Sequence, residues 1–243
     1  MKGLVLAAGP GRRLHPLTVA LPKTLLPVSD GRTILDLALA NLSSAGLEDV
    51  VVVTGFAAGR VEERAAELER RHGVRLELLR NERAEDWNNA YSLWLARGSF
   101  ADGAILVNGD TVHPRSVEQT LLAARGPDVL LAVDRERELG EEAMKVLLTE
   151  TGALRRISKE IEPASAAGEY IGVALIEPTA AEPLADALEA TWQRDPSLYY
   201  EDGFQELADR GGEVHGVGIG RVDWVEVDDH GDLARARELA YPS

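Results

Sequence analysis

Gly9, Gly11, Arg12, Arg13 and Lys23 lie in one short stretch near the start of the chain, directly after the apolar run Leu4–Ala7. Glycines at the end of a strand let backbone N–H groups approach a polyphosphate with no side chain in the way. Arginine can grip phosphate through two parallel hydrogen bonds, and lysine adds a compact point charge. The stretch therefore reads as a nucleotide-handling loop, with Ala8, Gly9 and Gly11 along the phosphates and Arg13 and Lys23 as their charged partners. Arg12 is read as a solvent-exposed neighbour, and His15 as a loop residue.

Two other glycine-loop chemistries are excluded. A Walker A loop needs Gly-Lys-Ser/Thr, and no such tripeptide follows Gly11. A dinucleotide fingerprint needs a third small residue where Leu14 stands and an acidic residue at the end of the second strand, yet Val50–Phe56 has none. Pro16 and Pro22 favour extended chain over an immediate helix.

The elements that would hold this loop follow from periodicity. Continuous apolar runs predict strands at Leu4–Ala7, Val50–Thr54, Val74–Leu79, Ala104–Asn108 and Val129–Val133. Helical patterns fill Ile34–Ala45, Ala58–His72, Asn89–Arg97 and Ser116–Arg125. Unbroken Val/Leu/Ile runs indicate strands covered on both faces, so the fold class is α/β, a doubly wound and mainly parallel sheet. Ligands in such folds bind at the carboxyl ends of the strands, where the glycine loop and Asp110 both fall. Further on, Lys145–Thr149 and Arg155–Ser158 read as an inserted β-hairpin turning at Thr151-Gly152, and Tyr170–Ile176 returns to the sheet. Helices at Thr179–Gln193 and Asp202–Arg210, strands at Val214–Val217 and Trp224–Val227, and a helix from His230 complete the pattern. One domain over residues 1–243 is the simplest partition, with 1–134 mainly nucleotide-binding and 135–243 mainly acceptor-binding.

Bulk properties narrow the partners. The net charge of −15 argues against nucleic acid, which needs a basic surface. It also requires that any triphosphate site be locally basic or filled with divalent metal. No apolar run approaches membrane-spanning length, and Met1-Lys-Gly leads straight into a strand, so a cytoplasmic protein with no secretory signal is expected. The absence of cysteine rules out disulfides and thiolate metal sites. A homodimer is compatible with all of this.

The motif Gly9-x-Gly11-x-Arg13-Leu14-x-Pro16-Leu17-Thr18, followed by Pro22-Lys23-x-Leu25-Leu26-Pro27-Val28, resembles the nucleotidyltransferase superfamily that includes sugar-1-phosphate nucleotidylyltransferases. Trp87–Trp94, Asn108-Gly-Asp110 and Trp224–Asp228 resemble its phosphocholine cytidylyltransferase branch, itself similar to enzymes that load CMP onto small phosphonates. The resemblance runs along nearly the whole chain in the same order. It implies a Rossmann-like nucleotidyltransferase fold and magnesium-dependent transfer from CTP to a small phosphonate or phosphomonoester, releasing pyrophosphate. A sugar-1-phosphate enzyme, or a nucleotide-sensing protein without turnover, is the alternative.

That chemistry assigns the remaining residues. Asp110, ending an apolar strand, and Asp228, on the alternating segment Trp224–Asp228, are expected to hold magnesium; one of Asp228 and Asp229 is expected to cap the last helix. Trp224, Glu226 and Asp228 should share a strand face. Asn81 and Asn88 have amides able to read a base, while Asn89 and Tyr91 are placed towards the acceptor, with Trp94 as core. Lys145 and Lys159 resemble family lysines that face the acceptor's anionic group. Glu169 offers a carboxylate near the returning strand, and Tyr199, beside acidic residues, could box a cationic head.

Overall fold

The computed structural model describes residues 1–29 and 31–239. In chain order its strands and helices are β1 (Lys2–Ala7), β2 (Pro27–Ser29), β3 (Arg32–Thr33), α1 (Ile34–Ser44), β4 (Asp49–Thr54), α2 (Ala58–Glu62), α3 (Ala65–His72) and β5 (Arg75–Arg80). There follow α4 (Asn89–Leu95), β6 (Ala104–Asn108), β7 (Thr111–Val112), α5 (Ser116–Ala123), β8 (Val129–Asp134), β9 (Lys145–Leu148), β10 (Leu154–Ser158) and β11 (Gly168–Ile176). Last come α6 (Ala181–Arg194), α7 (Tyr200–Asp209), β12 (Val214–Gly218), β13 (Val225–Glu226) and α8 (His230–Glu238).

β5, β4, β1 and β6 lie side by side and run parallel. The unbroken apolar run of β1 serves two faces. Leu4 and Leu6 pack under α4, α6 and α7 with Phe100 and Leu188, while Val5 and Ala7 pack on the other side with Leu35, Leu39 and Leu121. Each face is thereby shielded from water, as the sequence pattern requires.

Beyond β6 the sheet changes direction. β11 is antiparallel to β6, and along its other edge it pairs antiparallel with both β8 and β9. β8 is thus not a continuation of the parallel set, although β12 adds to it in parallel. The hairpin of β9 and β10 forms where expected and extends the sheet through β11.

Two helices differ from the expected ranges. The Ala58–His72 pattern splits into α2 and α3 at Glu63-Arg64, and the Arg64 guanidinium turns towards Asp36 at 3.4 Å. α4 stops at Leu95 and gives way to a 3-10 turn over Arg97–Asp102, which holds the helix-breaking Gly98.

Asp36 joins α1 to α3. It is fully buried, accepts from the Thr33 N–H at 2.9 Å and the Thr33 hydroxyl at 2.6 Å, and lies 3.0 Å from Arg71 and 2.9 Å from His72 Nε2. Burial would raise its carboxyl, but the bonds from His72 and Thr33 and the charge of Arg64 together hold it well below the usual carboxylate range. A depressed pKa contributes stability above the unfolded value near 4 and loses it as pH falls below that value. Asp36→Asn is therefore expected to cost about 3 kcal/mol at pH 7. The deficit should shrink on acidification below about pH 4, where the Asp36 carboxylate of the unfolded wild-type chain takes up a proton while the folded one stays ionised. Denaturant titrations of both proteins at pH 7 and pH 3 check this, and a deficit independent of pH would remove the charge from the explanation.

Candidate active site

The parallel strands β1 and β6 end side by side, and the segments leaving them form the floor of a cleft of about 310 Å³. Gly11 adopts a left-handed backbone (φ +58), where a side chain would be strained and would press on Lys23 Cβ at 3.0 Å. The loop is braced by the Thr18 hydroxyl, which donates to the Gly11 carbonyl at 2.7 Å. Ala8, Gly9 and Arg13 line the cleft, whereas Gly11 shapes the loop behind it. Arg12 is exposed, and His15 lies in the loop, its carbonyl 3.0 Å from His230 Nε2.

The opposite wall is assembled by a short strand pairing. β13 runs antiparallel to β7, with Val225 opposite Val112 and Glu226 opposite Thr111, and the Val227 N–H donates to the Asp110 carbonyl at 2.9 Å. The valines point into the apolar cluster, so Glu226 and Asp228 point into the cleft beside Asp110. Trp224 stays buried instead, its Nε1–H donating to Asp134 Oδ2 at 2.7 Å. Asp229 caps α8, accepting from the Gly231 and Asp232 N–H groups. Asp228 is left to the cleft.

Oxygen atoms of Asp110, Glu226 and Asp228 lie within 4.8 Å of one another. The Lys23 ammonium sits between two of them, 2.7 Å from Asp110 Oδ2 and 2.9 Å from Asp228 Oδ1, and Arg13 contacts Asp228 Oδ2 at 2.7 Å. Burial alone would lower the Lys23 pKa, but Asp110 and Asp228 reverse this and hold it above the ordinary value. Asp228 is depressed, because Lys23 and Arg13 outweigh its desolvation. Glu226 is open to water at the cleft mouth, yet protein surrounds most of it. Desolvation, then the charges of Asp110 and Asp228, raise its carboxyl. Asp110 Oδ1 is buried without a hydrogen-bond partner. Three carboxylates, one with an unpartnered oxygen, form a hard-oxygen set that suits a divalent cation such as magnesium. Strand alternation places Glu226 on the face of Asp228, but the sequence alone does not mark it as a member of this carboxylate group.

The side of the cleft under α4 and α7 holds Asn88, Asn89, Lys159 and Tyr199. Asn88 caps α4 and donates from Nδ2 to the Ser197 carbonyl at 2.9 Å; Asn89 Oδ1 accepts from the Tyr200 N–H at 2.9 Å. Lys159 Nζ lies 3.1 Å from Glu142 and 5.6 Å from the Tyr199 ring centroid. Asn108, at the end of β6, accepts from the Tyr200 hydroxyl at 2.9 Å. Its side chain lies where a Cβ at Gly172 would stand, 2.5 Å from such an atom, so Gly172 makes room for Asn108.

Four of the residues expected on the base and acceptor sides do not reach the cleft. Asn81 is buried, donating to Ser92 Oγ at 2.9 Å and accepting from the Arg83 N–H at 2.8 Å, which fixes the loop after β5. Tyr91 stacks on Trp94 (5.6 Å) and meets Trp87 and Trp192 edge-on at 4.9 and 5.3 Å, an aromatic cluster that satisfies its ring. Glu169 lies in β11 opposite Asp134 and Lys145, and burial raises its carboxyl. Lys145 is 1% exposed and spends all three ammonium protons on the carbonyls of Gly140, Glu141 and Ala143, at 3.2, 2.9 and 3.1 Å. Its reach is thereby turned into the 140–143 turn, next to Glu142 and Met144 on the cleft wall.

A family model described as nucleotidyl transferase matches residues 2–129. A choline-phosphate cytidylyltransferase of Streptococcus pneumoniae is 32% identical over 106 residues, 44% of this chain and 43% of that protein. A CMP-5'-(3-aminopropyl)phosphonate synthase of Streptomyces rubellomurinus is 30% identical over 242 residues, 97% of this chain and 38% of that protein. The chain thus spans less than half the length of these two curated relatives. The solved inositol-1-phosphate CTP transferase from T. maritima superposes with a TM-score of 0.82 at 22% identity, covering 100% of this chain and 98% of that one, which shows the shared fold. Among the described residues no helix is long and apolar enough to cross a membrane.

Lys145→Ala leaves three carbonyls without their donor. It is expected to lower stability by about 2 kcal/mol and to speed proteolysis within residues 139–144. Unchanged melting and cleavage would show that the ammonium does not hold the turn.

Proposed function

The chain belongs to the nucleotidyl transferase family, and on that premise we propose that it is a magnesium-dependent cytidylyltransferase acting on a small phosphonate or phosphomonoester. The observation that carries this reading is the convergence of Arg13, Lys23, Asp110, Glu226 and Asp228, drawn from three distant parts of the chain, on one cleft at the strand ends. A pure sensing role would not need three carboxylates crowded against the phosphate loop, because they repel a triphosphate unless a cation joins it. The choice of CTP rests on the names of the relatives.

In this reading an oxygen of the acceptor attacks the α-phosphorus of CTP in line. A new P–O bond forms, the α–β bridge breaks, and pyrophosphate leaves with the bridging electron pair. No covalent intermediate with the protein is required, so alignment and charge neutralisation are what the chain supplies. Gly9 and the backbone beside it lie along the phosphates. Arg13, 66% exposed at the cleft mouth, is placed to swing from Asp228 onto the charge that grows on the departing pyrophosphate. Lys23, held high in its pKa, stays protonated and fixes Asp110 and Asp228 in place while lending positive charge near the α-phosphate. Asp110 and Asp228, joined by Glu226, would hold magnesium, which supplies Lewis-acid charge neutralisation at the phosphates. Lys159 faces the acceptor's anionic end once that end displaces Glu142.

The test is product detection by mass spectrometry. Protein, magnesium and an equimolar mixture of the four ribonucleoside triphosphates are offered phosphocholine, 2-aminoethylphosphonate, inositol-1-phosphate and glucose-1-phosphate. A CMP adduct of a non-sugar acceptor is expected. An adduct formed only on glucose-1-phosphate, or with another base, would replace the reading. Asp110→Asn is expected to cut turnover by about a thousandfold with the fold intact; wild-type rates at saturating magnesium would take Asp110 out of the chemistry.

A further inference from the structure

Asp228 has no oxygen to spare. Its Oδ1 lies 2.9 Å from the Lys23 ammonium and its Oδ2 lies 2.7 Å from the Arg13 guanidinium. The other two carboxylates of the group are freer. Asp110 gives Oδ2 to Lys23 but keeps Oδ1 buried without a hydrogen-bond partner, and the ion pairs of Lys23 and Arg13 leave Glu226 aside. A divalent ion shared by all three acids can therefore take Asp110 and Glu226 as they stand, but must displace a protein cation from Asp228.

Burial decides which cation yields. The Lys23 side chain is 13% exposed and is held by two carboxylates, whereas Arg13 is 66% exposed and is held by one. A pair open to water contributes little and parts readily, while withdrawing one member of an enclosed pair strands a charge. The backbone around Arg13 is not free to follow its side chain. Leu14 is fully buried in the apolar cluster that also holds Val225 and Val227, and the His15 carbonyl lies 3.0 Å from His230 Nε2. Both contacts tie the loop to the segment that carries Asp228, so what can move is the guanidinium alone. A phosphate offers it the same fork of oxygens as a carboxylate, with more negative charge.

We propose that the Arg13–Asp228 pair is a latch that makes the cation site complete only in the company of a polyphosphate. The proposal rests on the cytidylyl-transfer reading above and concerns how that same site is regulated. With the guanidinium on Asp228, a divalent ion arriving alone meets two available carboxylates and the repulsion of Lys23 and Arg13. When a polyphosphate draws Arg13 away, Asp228 Oδ2 is released to the ion, and phosphate oxygens add to the same shell. The two ligands then favour each other's binding, a coupling that weakens without Arg13.

The experiment is titration of the full chain with Mn2+ alone, a spectroscopic stand-in for magnesium whose unbound fraction is read by electron paramagnetic resonance. Arg13→Gln is expected to bind Mn2+ about fivefold or more tightly than the wild type. Arg12→Gln, which removes the exposed neighbouring charge, should stay within about twofold of it. Equal affinity of the wild type and Arg13→Gln, no binding by Arg13→Gln, or the same gain in Arg12→Gln would each overturn the proposal. Two wild-type crystals at one Mn2+ concentration decide even where a variant fails to fold. With Mn2+ alone, Arg13 should remain on Asp228. With Mn2+ and a non-hydrolysable CTP analogue it should lie on a phosphate, with the ion, located by anomalous scattering, on Asp228. An ion on Asp228 in the first crystal, or Arg13 still on Asp228 in the second, would overturn the latch. A tightened ion in Arg13→Gln with no CMP adduct from the wild type would instead refute the transfer reading and leave the latch standing.

Discussion

The cleft depends on one ammonium group. Asp110, Glu226 and Asp228 bring three negative charges into a space under 5 Å across, in a chain whose net charge is already −15. Left alone, such a cluster would spread apart or take up protons. Lys23 reaches between Asp110 and Asp228 and Arg13 also contacts Asp228, so the glycine loop and the carboxylate wall are fixed by the same contacts. Everything else at this rim serves to keep that arrangement in register. Thr18 closes the loop on Gly11, Trp224 pins the approach to β13 against Asp134, and Asp229 starts α8 so that Asp228 is not drawn into capping it.

Much of this was legible in the residues. The glycine-arginine-lysine spacing, the strand-ending Asp110 and the alternation of 224–228 are local signals, and local signals survive folding. The two-faced burial of β1 was readable because a continuous apolar run leaves a strand no polar side to turn towards water. What could not be read was direction. A buried strand looks the same whether its neighbour runs parallel or antiparallel, so the reversal at β11 and the antiparallel placement of β8 had no sequence mark.

The site residues divide along the same line. Residue type and position in a motif mark Lys145, Asn81, Tyr91 and Glu169, and type does not say where a long or aromatic side chain turns. Lys145 found three carbonyls within its own turn, and Tyr91 found three indole rings. Glu226 shows the converse. It is an acidic residue in an ordinary sequence context, and it stands out only because of what the fold puts next to its carboxylate.

The pairing of β13 with β7 also gives the molecule an order in time. Lys23 and Asp228 are separated by 205 positions, which at about 5–20 residues per second of synthesis means that Lys23 leaves the ribosome tens of seconds before its partner. Through that interval the glycine loop carries its positive charges without the carboxylates that will later hold them. The cluster cannot form piecemeal, since its members come from the first, middle and last parts of the chain. A stalled or shortened nascent chain therefore keeps an open basic loop and no acidic wall, and the opposed charges of the cleft meet in a single late event when β13 docks on β7.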